Sequence, residues 1–328
     1  MKLLHLKSVL FIVLSITLLT CKEEQTVVDP KGITVTSEKF IDDLLFVDVN
    51  NYQINTSEPA TFSSPDPFIQ ISSTGNIKRI TSAEIVSIDI VSINNPENKT
   101  RIYALGVNDT NYDKSNVDFN GLAGTDAYNS YVKGWKTLQS LPNTNGTYAL
   151  ILRHADADKG RDIKGGPDEW WKSCDSTLAR QLNEKGRRRS VELGKILKDL
   201  KYPISRVISS EFCRARETAE LINAGPAIAI DGRLNHPDYN VSKTGTVFKG
   251  MLQVVNELPV DNTMTLIETH HPINELRDQV VPTFPNVIPF PWTGGYIVKI
   301  ATDKTITFEG AVSFPMLKYF RDLKFKQL

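Results

Sequence analysis

The chain has 328 residues, with 38 Lys and Arg balancing 38 Asp and Glu and 40% hydrophobic residues. That composition excludes a disordered protein, and the zero net charge gives nucleic acid no electrostatic reason to bind. The length suits two domains of ordinary size.

The N-terminus stands apart. Lys2 and Lys7 form a short basic region, Ser8 to Thr20 is apolar apart from Ser and Thr, and Cys21 follows. The apolar run is too short to span a bilayer and fits the core of a signal peptide. Leu18-Leu19-Thr20-Cys21 resembles a bacterial lipobox, in which the cysteine is acylated and becomes the mature N-terminus. The expectation is a signal peptide over 1–20, lipidation at Cys21, and export to a bacterial membrane, on its periplasmic face or the cell surface. Beyond Cys21 only Cys174 and Cys213 remain. In an oxidising compartment they could pair, and two separate buried thiols fit the sequence equally well.

Residues 21–32 are polar and read as a tether. From 33 to 107 the pattern is short strands: "ITVTS", "LLFVDV", "FIQIS" and "EIVSIDIVSI" carry β-branched residues in partial alternation. Thr74-Gly75-Asn76 and Asn94-Asn95-Pro96 supply turn chemistry. This predicts a small all-β sandwich, on the pattern of an immunoglobulin domain, serving as a spacer or binding module. It holds no clustered His, Cys or carboxylates of ligand spacing, and nothing in it names a protein partner. Residues 108–146 read as a linker containing a helix, because Tyr128, Tyr131, Val132, Trp135 and Leu138 fall on one helical face.

From 147 the period changes again. Apolar strands at 148–152, 204–208, 227–230 and 263–268 alternate with amphipathic helices near 183–200, 214–223, 246–257 and 273–280, and a hairpin follows at 295–309. This is the pattern of a three-layer α/β domain over 147–328. In such sheets ligands bind beyond the carboxyl ends of the strands. Arg153 and His154 follow the first strand, Arg214 heads the helix after the second, and His270-His271-Pro272 follow a third. Three of the five histidines lie at two of these strand ends.

Such a group suits phosphoryl transfer. Arginines bind phosphate oxygens bidentately and stay charged. Helix N-termini add N–H donors. A neutral imidazole can attack phosphorus, splitting one displacement into two. No cofactor or metal is called for, since the cationic side chains take the charge that a metal would.

"LILRHAD", "SSEFCRARETA" and "LIETHHP" resemble the motifs of the histidine phosphatase (phosphoglycerate mutase-like) superfamily, in the family's order. "LNEKGRRRSVELGKIL", with Leu182 and Gly186, is similar to its segment between the first two strands. The resemblance covers about 147–310. It implies that His154 is the nucleophile, with Arg153, Arg214 and His270 binding the phosphoryl group, and that His271 fills a variable place. Ala155 stands where the best-known form of the first motif has glycine. The general acid matches no motif; Glu211 and Asp238 are the leading candidates, with Asp156 and Asp231 behind them. An insertion over 160–177 is expected at the pocket mouth, where Arg161, Trp170 and His271 could contact substrate. The resemblance implies a phosphohydrolase that cleaves a small phosphomonoester or phosphoramidate through a phosphohistidine on His154, and the N-terminal segment adds export. The alternative is a low-turnover lipoprotein that binds a phosphate ligand through a degenerate phosphatase domain.

Overall fold

The structure is a computed structural model that describes residues 25–28, 32–107, 123–141, 145–163, 165–236, 247–271, 284–285 and 290–326. Cys21, Asp238, Pro272 and the helix expected near 273–280 lie outside the described residues. Among the described residues no helix is long and apolar enough to cross a membrane.

The N-terminal region is all β. Its strands are β1 (Gln25–Val28), β2 (Thr34–Ser37), β3 (Phe40–Ile41), β4 (Leu44–Val47), β5 (Tyr52–Gln53) and β6 (Asn55–Thr56). Then come β7 (Ala60–Ser63), β8 (Ile69–Ile71), β9 (Asn76–Ile80), β10 (Ile85–Ser92) and β11 (Lys99–Gly106). β1 lies within the stretch read as a tether and pairs with β2. A five-stranded sheet, β3-β4-β11-β10-β7, packs with two three-stranded sheets, β1-β2-β6 and β5-β9-β8. Val86, Ile88 and Ile90 alternate along β10 into one core with Val35, Ile77 and Ile80. That alternation is what a sheet with one buried face requires. β4 is buried on both faces. Leu45 and Val47 enter this core, while Leu44 and Phe46 join the core of the following domain.

Helix α1 (Ala123–Ser140) and the C-terminal helix, which the sequence reading did not anticipate, make that junction. Trp135 of α1 is fully buried and stacks on Tyr319, with ring centroids 5.7 Å apart; Tyr103 of β11 meets the same Tyr319 ring at 4.8 Å. Gly134 is needed where α1 crosses the sheet: a Cβ there would stand 1.8 Å from the Ala311 carbonyl oxygen. The two domains therefore share one continuous apolar core.

The second domain is the expected α/β alternation. In chain order it comprises β12 (Thr147–Arg153), α2 (Glu184–Asp199), β13 (Ile204–Ser209), α3 (Cys213–Ile222), β14 (Ile228–Ile230), α4 (Val247–Glu257), β15 (Met264–Thr269), β16 (Gly295–Ile300), β17 (Ile306–Val312) and α5 (Phe314–Lys324). The sheet order is β14-β13-β15-β12-β16-β17, parallel from β14 to β12 and antiparallel over the last two strands. β12 and β15 are buried at every position, which is why β12 runs apolar from Tyr148 to Leu152 without alternation.

Among the buried polar residues of these strands, one carries a carboxyl group. Glu268 of β15 is fully buried, and neither carboxyl oxygen has a hydrogen-bond partner. Burial raises its pKa well above the usual 4.5, so it is held as the neutral acid. The unfolded chain releases this proton as pH rises past 4.5, and the folded chain keeps it. Folding stability should therefore fall by about 1.4 kcal/mol per pH unit above that point, until the folded pKa is reached. Glu268→Gln should remove this slope, measured as denaturant midpoints between pH 5 and pH 7. Parallel curves for the two proteins would show that Glu268 ionises freely in the fold.

Candidate active site

Because β12, β13 and β15 are parallel, their carboxyl ends lie together, and each delivers part of the site. β12 runs into Arg153 and His154. β13 leads through Ser209 and Ser210 to α3, which carries Arg214 in its first turn. β15 ends at Thr269 and is followed by His270 and His271. The register pairs Arg153 with Thr269, and the His154 backbone N–H donates to the Thr269 carbonyl at 3.0 Å.

Local contacts fix how His154 is presented. Asn183 caps α2 by accepting from the Gly186 N–H at 2.8 Å. Gly186 packs so tightly under the site loop that a Cβ would lie 2.3 Å from the Asp156 carbonyl oxygen. Thr218 of α3 accepts from the Ala155 N–H at 3.0 Å and donates to the Arg214 carbonyl at 2.7 Å, tying the loop to that helix.

The His154 ring is fully enclosed. Its Nδ1 lies 2.8 Å from the Ala155 carbonyl oxygen, which can only accept, so the proton sits on Nδ1. Nε2 then carries the lone pair and accepts from the Arg214 Nε–H at 3.2 Å. Burial first, then the charges of Arg214, Arg153 and Arg180, hold the His154 pKa well below 6.5. His270 packs 5.2 Å from His154, ring to ring, and its Nε2 is 2.8 Å from the Ser210 hydroxyl. Burial and Arg214 lower its pKa well below normal too. His271 is kept neutral by burial and by Arg153.

Arg214 is held on several sides. Its Nη1 donates to Asp162 at 3.1 Å in an ion pair whose side chains are 1% and 6% exposed. The guanidinium carbon lies 4.3 Å from the Phe212 ring centroid, and Phe212 in turn meets His270 edge-on at 4.6 Å. Arg153 is buried with its guanidinium over Trp292 at 5.2 Å.

The structure brings together Arg153, His154, Arg214, His270 and His271. Trp170 is buried, edge-on to both Phe212 and Trp171. It therefore backs the Phe212 ring and offers no open face for stacking. Arg161 is exposed on the insertion. Glu211 accepts from Asn235 at 2.7 Å and from Trp171 at 3.1 Å, with the Lys172 ammonium 3.4 Å away. Burial alone would raise its pKa, but these partners outweigh it and lower it, so the group stays ionised. That is the wrong form for a general acid. Asp156 is engaged by Lys185 at 3.1 Å and Arg189 at 3.3 Å.

Sequence reasoning missed Asp162, Arg180 and His236. The Arg180 N–H donates to Asp162 at 2.9 Å, and its charge acts on both His154 and His270. His236 lies 5.8 Å from His270. Cys174 and Cys213 are joined by a disulfide with Cα atoms 5.3 Å apart, resolving the choice that the sequence left open. It pins the inserted segment to the start of α3, next to Arg214.

These three strand ends set a neutral imidazole among arginines, an arrangement whose chemistry suits phosphoryl transfer. Residues 150–262 match the family model of the histidine phosphatase superfamily, branch 1, and the domain belongs to that superfamily. Among solved structures, the chain is similar to the protein histidine phosphatase SixA in complex with tungstate, at 21% identity over 51% of this chain and 97% of that one, with a TM-score of 0.38. It is similar to a phosphoglycerate mutase of Plasmodium falciparum (14% identity, 50% and 89% covered, TM-score 0.30). It is also similar to a phosphoserine phosphatase of Entamoeba histolytica in complex with phosphoserine (11% identity, 52% and 99% covered, TM-score 0.33). No curated protein sequence matches the chain.

Proposed function

We propose that the protein is an exported, lipid-anchored phosphohydrolase that cleaves a small phosphomonoester or phosphoramidate through a phosphohistidine at His154. The observation that carries this reading is the tautomer of His154. With Nδ1–H donating to the Ala155 carbonyl, Nε2 keeps the lone pair, which accepts from Arg214 and is freed to attack once the phosphoryl oxygens take that donor. In the first step Nε2 bonds to phosphorus, and the bond to the leaving oxygen or nitrogen breaks with its electron pair. That atom takes up a proton. In the second step water attacks phosphorus and gives up a proton to the group that protonated the leaving atom, the P–N bond breaks with its electron pair returning to Nε2, and phosphate leaves with the imidazole neutral again. Arg153, Arg214 and His270 face the phosphoryl oxygens and stabilise the charge that builds there. Asp238 remains the candidate acid, given that Glu211 is held ionised. The full chain should hydrolyse nitrophenyl phosphate in excess EDTA, because arginines supply the charge. Activity lost in EDTA and restored by a divalent ion would overturn this mechanism.

Export rests on the basic and apolar segment before Cys21, and the Cys174–Cys213 disulfide suits an oxidising compartment. Labelled fatty acid should enter the mature protein at Cys21, and Cys21→Ser should lose both the label and the membrane fraction. A label that persists in that variant would exclude Cys21 as the attachment point.

A further inference from the structure

Arg180 differs from the other two arginines of the site. Arg214 is neutralised by Asp162, and Arg153 lies over Trp292. The half-buried Arg180 guanidinium has neither a carboxylate nor a hydrogen-bond acceptor among the described residues. Its Nε is enclosed without a partner, while Nη1 and Nη2, also without one, are not enclosed and can be reached from outside. Withdrawing a guanidinium from water without pairing it is unfavourable. The charges of Arg153 and Arg214, which act on the same His154, add repulsion. Such a group is stabilised by an anion, and a phosphoryl group supplies one.

The position of Arg180 is built into the fold. Its backbone N–H donates to Asp162 at 2.9 Å, so the carboxylate that holds Arg214 also fixes the main chain at 180. On one side Ala179 packs with Trp170 and Phe212, and Phe212 lies against both Arg214 and His270. On the other side Gln181 exchanges backbone hydrogen bonds with Lys159 at 2.8 and 3.3 Å, and Leu182 packs with Ala155, next to His154. Arg180 therefore sits between the wall behind His270 and the loop that carries His154. Those two rings are 5.2 Å apart, and the Arg180 charge acts on both.

We propose that Arg180 is a third arginine of the phosphoryl site, reaching from the inserted segment to an oxygen of the group in transfer through Nη1 or Nη2. The inference rests on the phosphatase reading of His154. The transition state spreads charge over three equatorial oxygens. Arg214 meets that charge with a guanidinium already compensated by Asp162, whereas Arg180 brings an uncompensated one. The insertion thus supplies a group that touches substrate and is more than a cover for the pocket.

The test is calorimetric binding of inorganic phosphate to the full chain, with kcat for nitrophenyl phosphate and the denaturant midpoint measured on the same samples. Arg180→Gln should weaken phosphate binding about ten- to a hundred-fold, the scale of a charge-assisted hydrogen bond. It should lower kcat about a hundred-fold, the scale of one oxyanion donor. Its denaturant midpoint should hold at the wild-type value, since the guanidinium it removes has no partner in the fold. Arg180→Lys keeps the charge without the fork and should lie between the two. Wild-type phosphate affinity in Arg180→Gln, or in Arg180→Lys should the glutamine form fail to fold, overturns the proposal. So does an acid limb that moves upward with phosphate affinity and kcat unchanged, which would leave Arg180 acting on His154 only from a distance. A loss confined to substrates with a second anionic group overturns it too, by placing Arg180 against the leaving group. Failure of the wild type to hydrolyse nitrophenyl phosphate, with phosphate affinity still lost in the variants, would overturn the phosphatase reading and leave the Arg180 contact standing.

Discussion

Replacing His154 by Ala should lower turnover of an aryl phosphate by a factor of about ten thousand or more, the scale of losing an attacking group rather than a binding contact. The effect should be large because no neighbour can take over. His270 points its Nε2 at Ser210. His271 lies against Phe290, at a ring distance of 6.0 Å. In the wild type, rapid quench and mass spectrometry of the 148–160 peptide should find phosphate that is lost in acid and kept in alkali. The variant should show none. The pH profile follows from the same geometry. Burial and the charges of Arg214, Arg153 and Arg180 favour the neutral imidazole. Its pKa in the free protein therefore lies below the ordinary 6.5, and the acid limb of kcat/KM should fall below pH 6.5. Removing the Arg180 charge should move that limb upward. Substantial steady-state turnover by His154→Ala, or an acid limb above pH 7, would show that another group attacks.

The second large effect should come from the disulfide. Cys174 and Cys213 are separated by 39 residues, and closing a loop of that length constrains the unfolded chain by about 4 kcal/mol. Cys174→Ala should lower unfolding stability by roughly that amount, and a reductant should reproduce the loss in the wild type. Catalysis should suffer as well. The closed loop contains Arg180, whose N–H binds Asp162, and Asp162 is the buried partner of Arg214. Loosening the loop leaves Arg214 less well aimed and its charge less well compensated, so kcat/KM should fall below what the loss of folded protein explains. Denaturant unfolding with activity per folded molecule checks both. Unchanged stability on reduction would mean that the bond adds nothing to the fold, and unchanged specific activity that the loop does not position Arg214.

The sequence determined the parts of this protein that depend on neighbours along the chain. The unbroken apolar run of β12 from Tyr148 to Leu152 follows from a strand buried on both faces, and the alternation of β10 from a sheet with one buried face. The placing of Arg153, His154, Arg214 and His270 at strand ends was legible for the same reason. In a parallel sheet, residues that leave strands in the same direction must meet. Helix α5 was missed because it follows the last strand with no motif to mark it. The tertiary structure decided what depends on distances between segments far apart in the chain. The pairing of Cys174 with Cys213 needed the inserted segment to fold back onto α3. Asp162, Arg180 and His236 carry no motif and reach the site only through loops whose course is set by that folding. The contact between domains was hidden in β4, where Leu44 and Phe46 look like any other strand residues. Only the packing of α1 and α5 against them shows that the second face of this strand is buried, and that the β domain is a wall of the catalytic domain.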